Sequence, residues 1–243
     1  MSGRLKDYKS QLTNSERGCE GILFIVPTPI GNLGDITLRA RFVLQEVDLI
    51  LAEDTRSAAL LKREYGFTAP VRSLFAGKEK RMIPFVLEEL GRGRTIALIS
   101  ESGTPGISDP GALVAHAAIE AGYKVAVLPG PVAFVPALIL SGLQVHPFLF
   151  FGFLPSSPKR RRKALRELQD FPHTLVFYES PHRIEETIED CLAILGNRRA
   201  SLSRELTKMY EETIRGTIKE ILENIRSNPR KGEMVLVIEG KKE

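Results

Sequence analysis

Three short stretches collect glycine and proline where unpaired main-chain groups could hold a small ligand: residues 27–35 (PTPIGNLGD), 101–111 (ESGTPGISDPG) and 129–133 (PGPVA). Each bends the backbone with Gly and stiffens it with Pro where a helix is due to start, so N–H and C=O groups lie outside any ladder. One such loop could be only a tight turn. Three on one sheet edge predict a site built from main chain. The ordinary nucleotide signatures are absent: no G-x-x-x-x-G-K-[ST] occurs, and no G-x-G-x-x-G follows a strand. A second chemistry is written in Lys159-Arg160-Arg161-Arg162-Lys163 with Arg166. On a helix starting at Pro158, residues Lys159, Arg162, Lys163 and Arg166 share one face, with Ala164, Leu165 and Leu168 opposite. A solvated face is the ordinary reading of a charge run. Consecutive cations without an acidic neighbour in sequence favour a polyanion, so Lys159, Arg160, Arg162, Lys163 and Arg166 are candidate phosphate ligands.

The elements that must position these residues follow a βαβ rhythm. Short β-branched runs at 22–26, 47–52, 71–74, 95–100 and 124–128 read as strands, with helix-period segments between them. Over 35–47, Ile36, Ala40, Val43, Leu44 and Val47 fall on one helical face with Asp35 placed to cap it. The pattern implies a mostly parallel sheet, whose ligands bind outside the carboxyl ends of its strands. Around 142–147 the rhythm pauses, then restarts with strands over 148–154, 174–179, 199–206, 211–215 and 233–239. Domains are therefore expected at 21–144 and 145–243, after a polar extension over 1–20. Asp109-Pro110, Ser157-Pro158 and Ser180-Pro181 each set a capping residue before a proline at the first helical position.

The motifs at 27–39 (PTPIGNLGDITLR), 52–56 (AEDTR), 103–111 (GTPGISDPG), 177–183 (FYESPHR) and 204–208 (RELTK), in this order, resemble the tetrapyrrole-methylase family, and within it the branch that methylates small-subunit ribosomal RNA. The resemblance runs from about Gly21 to Gly240. It implies an α/β, two-domain tetrapyrrole-methylase fold, with a mostly parallel N-terminal sheet and a mixed-sheet C-terminal domain that completes a cleft for S-adenosylmethionine. It also implies 2′-O-methylation of a decoding-centre cytidine in 16S rRNA, on RNA or small subunit, by a homodimer. The cofactor would touch Pro27 and Ile30, then Glu101, Ser102, Gly103, Thr104 and Ile107, then Val132 and Ala133. The second domain would contribute Tyr178, Leu206 and Met234. Relatives of that branch usually carry Asp-Ala where this chain has Glu101-Ser102, and a His-Glu-His-Asn stretch where it reads Leu74 to Lys78.

Sulfonium methyl transfer needs alignment and no metal, but a ribose hydroxyl must lose its proton, and a carboxylate in reach could take it. Asp54 and Glu179 each follow a strand and are the candidates. Asp54 could equally cap the next helix, and Glu179 could bond backbone amides beside Ser180. Arg56, Arg183, Arg204 and Lys208 are candidate phosphate ligands or ordinary ion-pair partners. Tyr178 could stack on a base or pack inward, His182 could approach RNA or stay a surface residue, and Asp109 reads as a helix cap. A small-molecule methylase and a catalytically inactive RNA-binding relative are the competing readings.

The 243-residue chain is 43% hydrophobic, enough for a sizeable core. Its net charge of +4 is a modest basic excess. Cys19 and Cys191 lie far apart and the four histidines are scattered, so neither a disulfide nor a metal is expected. No apolar run approaches the roughly 20 residues that span a bilayer, which predicts a cytoplasmic protein without a membrane partner.

Overall fold

A computed structural model describes residues 21–75, 77 and 79–242. The chain divides into two compact units between Pro131 and Val132. In the first, β1 (Ile22–Ile25), β2 (Leu49–Ala52), β3 (Val71–Ser73), β4 (Thr95–Ile99) and β5 (Lys124–Val127) form a parallel sheet in the order β3-β2-β4-β1-β5. Its helices are α1 (Leu38–Glu46), α2 (Thr55–Tyr65), α3 (Glu79–Gly91) and α4 (Ala112–Glu120). Strand side chains alternate between two cores. Ile22, Phe24, Ile50, Ala52, Ala97 and Ile99 pack with Val43 and Leu44 of α1 and Ala58 and Leu61 of α2. Leu23, Ile25, Leu49, Leu51, Ile96 and Leu98 pack with Val86 and Leu90 of α3 and Val114 and Ala118 of α4. A sheet covered on both faces explains why its strands read as unbroken apolar runs.

The second unit holds α5 (Phe134–Ser141), β6 (Phe148–Phe153), α6 (Pro158–Glu167), β7 (Thr174–Glu179), α7 (Ile184–Leu195), β8 (Arg199–Arg204), β9 (Glu212–Thr217), α8 (Ile218–Ser227) and β10 (Met234–Ile238). Its sheet runs β6-β7-β10-β8-β9, parallel only between β6 and β7. Leu165 of α6, Ile184 and Ile188 of α7 and Ile221 and Ile225 of α8 cover Leu175, Phe177, Leu202 and Leu236. Helix α5 packs on β8 and β10. That contact assigns α5 to the second unit and moves the boundary from the expected 144/145 to 131/132.

Three expected helix starts shift. Asp35 does not cap α1: residues Leu33–Asp35 form a 3-10 turn, and Thr37 is the cap, its hydroxyl accepting Ala40 N–H at 3.0 Å. The expected apolar stripe survives, with Ala40, Val43, Leu44 and Val47 buried. Asp109-Pro110 does not open α4. Its cap residue is Gly111, whose N–H donates to Glu79 Oε1 at 2.5 Å. Residues 181–183 make a turn closed by Ile184 N–H on Ser180 O, so Pro181 precedes α7 instead of opening it. Ser157-Pro158 does open α6.

Candidate functional site

The two cores determine where the first sheet opens. The chain leaves β4 toward α4 on one face, whereas it leaves β1 and β2, the strands on either side, toward α1 and α2 on the other. Neighbouring strands whose loops depart to opposite faces part at their carboxyl ends and leave a crevice. The first two glycine and proline loops meet there. Thr28 and Gly103 exchange two backbone hydrogen bonds, Thr28 N–H to Gly103 O at 2.9 Å and the reverse at 3.1 Å. The third loop joins them: the Thr104 hydroxyl donates to Pro131 O at 2.9 Å. Gly130 approaches Pro27 so closely that a Cβ on it would lie 2.4 Å from Pro27 Cβ. Gly103 has φ +80°, and a Cβ there would press on Ile30 Cγ2 at 3.2 Å. Pro27, Ile30, Gly103 and Thr104 are thus brought together, with Pro27, Ile30 and Gly103 buried, Ser102 and Thr104 half-buried, and Glu101 and Ile107 exposed. Of the 74–78 segment, Ala76 and Lys78 lie outside the described residues.

Two carboxylates follow β2, and they differ in state. Asp54 caps α2, Oδ1 accepting Arg56 N–H at 2.7 Å, and its Oδ2 lies 2.7 Å from Arg56 Nη2. The Arg56 side-chain hydrogen bond holds Asp54 below the usual carboxylate range. Capping, the alternative role for Asp54, is therefore realised, and Arg56 is paired though 91% exposed. Glu53 is not among the residues singled out from sequence. Burial raises its pKa, with the Glu101, Asp54 and Glu79 carboxylates adding to the effect, while a hydrogen bond from the Glu101 N–H opposes it. Its Oε2 is buried and has no hydrogen-bond partner among the described residues.

In the second unit, register alignment gathers Tyr178 and Glu179 at the end of β7, Arg204 at the end of β8 and Met234 at the start of β10 on one sheet edge. Leu206 and Met234 are buried there. Tyr178 packs edge-on against Phe150 at 4.9 Å and Phe153 at 5.6 Å, and its hydroxyl accepts Phe134 N–H at 3.3 Å, beside Val132 and Ala133 at the start of α5. Inward packing is thus its observed state. The Glu179 side chain is sealed (0% exposed) and accepts from Ser180 N–H, the Thr187 hydroxyl and Arg183. It fastens the turn into α7. Arg183 also donates to the carbonyls of Leu154 and Pro155. Arg204 is paired with Glu212, and Lys208 with Glu205 and Glu233. His182 is exposed in the turn.

On α6, Lys159, Arg160, Arg162, Lys163 and Arg166 are exposed, as the helical period requires. Arg161, in the middle of the run, is buried at 2% exposure and donates to Asp190 Oδ2 at 2.6 Å, with Glu186 at 3.3 Å. Arg162 takes the other oxygen of Asp190 at 2.7 Å. One carboxylate from α7 therefore anchors the basic helix, and the sequence spacing of 28 and 29 residues hides it.

Among the described residues no group of three or more His, Cys, Asp or Glu could hold a metal ion, and no helix is long and apolar enough to cross a membrane. Cys191 is a buried free thiol whose pKa burial drives upward, and Cys19 lies outside the described residues.

Comparison with known proteins gives the same fold and narrows it. Two solved structures superpose over most of the chain: uroporphyrin-III-C-methyltransferase from Thermus thermophilus (TM-score 0.65, 19% identity, 90% of this chain and 94% of that one) and the cobalt precorrin-4 methyltransferase (TM-score 0.68, 16% identity, 93% and 98%). The profile of the family described as Tetrapyrrole (Corrin/Porphyrin) Methylases matches residues 23–222. The ribosomal RNA small subunit methyltransferase I of Halalkalibacterium halodurans is 46% identical over 232 residues, 96% of this chain and 80% of the relative. The protein of that name from Escherichia coli O157:H7 is 47% identical over 226 residues, 92% and 79%. Carrying both the fold and this degree of identity over nearly its whole length, the chain belongs to the tetrapyrrole methylase family, in its ribosomal RNA small subunit methyltransferase I branch, and is an S-adenosylmethionine-dependent methyltransferase.

Proposed function

We propose that this enzyme methylates the ribose 2′-hydroxyl of a decoding-centre cytidine in 16S rRNA, on the RNA or the small subunit. The observation that carries this reading is the 46–47% identity to the two relatives just described, whose name states a small-subunit ribosomal RNA methyltransferase. The first unit's edge fits the cofactor. S-adenosylmethionine supplies a methyl group already activated on a sulfonium, so the protein's task is to bind and align. Loops that meet through backbone hydrogen bonds, with Gly130 leaving no room for a Cβ and Gly103 at positive φ tight against Ile30, suit recognition by main chain. Residues Pro27, Ile30, Glu101 to Thr104, Ile107, Val132 and Ala133 are assigned to it, and Tyr178, Leu206 and Met234 on the second sheet's edge.

For RNA, the exposed cations of α6 are the strongest phosphate candidates. Residues 21–131 contain equal numbers of acidic and basic side chains, whereas residues 132–243 contain a basic excess, and α6 concentrates it. Arg56, Arg183, Arg204 and Lys208 would reach phosphate only by sharing or exchanging carboxylate partners they already hold. A homodimer is proposed on the second unit's exposed apolar residues, Val135 and Ile139 of α5 and Phe148, Phe151 and Phe153 of β6, since such surface is costly to leave in water. Cytoplasmic residence follows from an rRNA substrate.

The test is mass mapping of methylated nucleotides in 16S rRNA from cells with and without the gene. Loss of one 2′-O-methylcytidine in the decoding centre is expected. An unchanged map overturns the reading, and activity on a corrinoid precursor with none on ribosomal subunits would establish a small-molecule methylase instead.

A further inference from the structure

We propose that Glu53 is the catalytic base that removes the proton from the acceptor hydroxyl. The inference rests on the ribose reading above, because a ribose hydroxyl is a weak acid that must shed its proton as it is methylated. The step balances: as the hydroxyl oxygen bonds to the methyl carbon, the carbon–sulfur bond breaks with its electron pair left on sulfur. The hydroxyl proton passes to the Glu53 carboxylate and later to water.

Position comes first. Glu53 is the residue directly after β2, and the pairing of Ala52 with Ile99 of β4 and with Ser73 of β3 sets it level with the first residues of the loops leaving both strands. The Glu101 backbone N–H lies beside it, at the crevice next to β4 where the cofactor loops meet.

Hydrogen-bond accounting comes second. Native structures rarely leave a buried carboxylate oxygen without a donor, because desolvating it without compensation costs about 1–3 kcal/mol or more. Among the described residues, Glu53 Oε2 is in that condition. An acceptor facing no donor is what a base looks like before its substrate arrives, and a substrate hydroxyl is the donor that would complete it.

Electrostatics agrees. Burial lifts its proton affinity, and so do the carboxylates of Glu101 after β4, Asp54 beside it and Glu79 on α3. Arg56 is turned to Asp54. A base tuned upward toward neutrality is the more effective proton acceptor at neutral pH. These carboxylates are not a metal cage, since no metal-holding group of three or more exists among the described residues.

The two carboxylates expected from sequence are ill suited by comparison. Asp54 is neutralised by Arg56 and by the cap of α2, which weakens it as a base. Glu179 is sealed and already accepts from three donors.

The experiment begins with wild-type enzyme, small ribosomal subunits and labelled S-adenosylmethionine, with the methylated nucleoside identified by mass spectrometry. A ribose product upholds the reading on which the proposal rests. Methylation of a base ring atom overturns that reading and the proposal with it. Glu53→Gln and Glu53→Asp are then compared for cofactor affinity by calorimetry and for single-turnover rate against pH. Glu53→Gln should bind S-adenosylmethionine within about twofold of wild type, react about 100-fold slower or worse, and lose the acidic limb of the pH profile. Glu53→Asp should restore part of the rate, with that limb moved to lower pH. With a ribose product in hand, a wild-type rate or an unchanged acidic limb in Glu53→Gln overturns the proposal alone. So does loss of cofactor binding in both variants, which would make Glu53 a structural part of the loop.

Discussion

The sheet edges that carry the candidate site residues are built on opposite plans in the two units. In the first unit the loops after β1, β4 and β5 are joined by backbone groups and one threonine hydroxyl, and glycine sets how closely they approach. In the second unit the corresponding edge is a lattice of charged side chains: Arg183 on Glu179, Arg204 and Arg230 on Glu212, Lys208 on Glu205 and Glu233. A main-chain site tolerates side-chain change but not backbone change, and an ionic lattice does the reverse. Charge in the sequence therefore marks the second edge's internal scaffold as readily as its ligand contacts, and only exposure separates the two.

The largest expected effect tests whether the second unit's ion pairs, here the one between α6 and α7, act as a scaffold. Asp190→Ala leaves Arg161 buried with only Glu186 nearby, and breaking a buried pair in this way costs about 3–5 kcal/mol. Urea unfolding measures it, and a loss below about 1 kcal/mol would mean that α6 is held by its apolar face alone. Next is the main-chain site. Gly103→Ala places a methyl group on a residue at φ +80° and against Ile30, which should cost about 1–2 kcal/mol of stability. It should also weaken S-adenosylmethionine about tenfold or more, or about 1.4 kcal/mol. Cofactor affinity unchanged by calorimetry would remove the second loop from the site.

The exposed cations of α6 come third. Lys159, Arg160 and Arg166 have no carboxylate within ion-pair distance among the described residues. Replacing these three by Ala should weaken RNA binding and flatten the log-affinity against log-salt slope by about 0.7–0.9 per lost contact, with cofactor affinity and methylated nucleotide unchanged. The paired set, Arg204→Ala with Lys208→Ala, should change the slope less and stability more. Equal slopes in wild type and the triple variant would make the run a solubilising face.

The smallest effect is a pH dependence. Hydrogen bonds from Arg230 and then Arg204 lower Glu212 to about 2. A depressed carboxylate contributes stability above its unfolded pKa of about 4.5 and loses it as pH falls toward 2. With about a third of the side chain in solvent, the contribution is on the order of 1 kcal/mol. Glu212→Gln should unfold more easily than wild type at pH 6 and equally at pH 2; a constant difference across that range would assign the effect to packing.

What the sequence discloses depends on how local the determinant is. Ser157-Pro158 and the cationic stripe disclose α6 because a proline at the first helical position and the helical period both act within one turn, although the Ser157 side chain makes no capping bond. The three loops are legible because glycine and proline act on their own backbone. Asp35 misleads because Asp and Thr both cap, and three residues of 3-10 turn separate the two positions. Glu53 is illegible because Asp54 beside it carries the stronger local pattern, and the burial of an oxygen without a partner among the described residues is a tertiary property. The unit boundary is missed for the same reason: α5 is apolar enough to suit either sheet, and only its packing on β8 and β10 decides.

The hydrogen bond from Gly111 N–H to Glu79 Oε1 ties the start of α3 to the start of α4, so the segments following β3 and β4 cannot respond to ligands independently. Thermodynamic reciprocity then applies: if an occupant near α3 changes the affinity of the second loop for the cofactor, the cofactor changes the affinity for that occupant by the same factor. A bond to a charged group contributes about 1.5–3 kcal/mol, which limits the exchange through this contact to roughly 10- to 150-fold. One carboxylate thus makes the coupling between the cofactor and an occupant near α3 a measurable property of the enzyme, strongest in wild type and lost in Glu79→Ala.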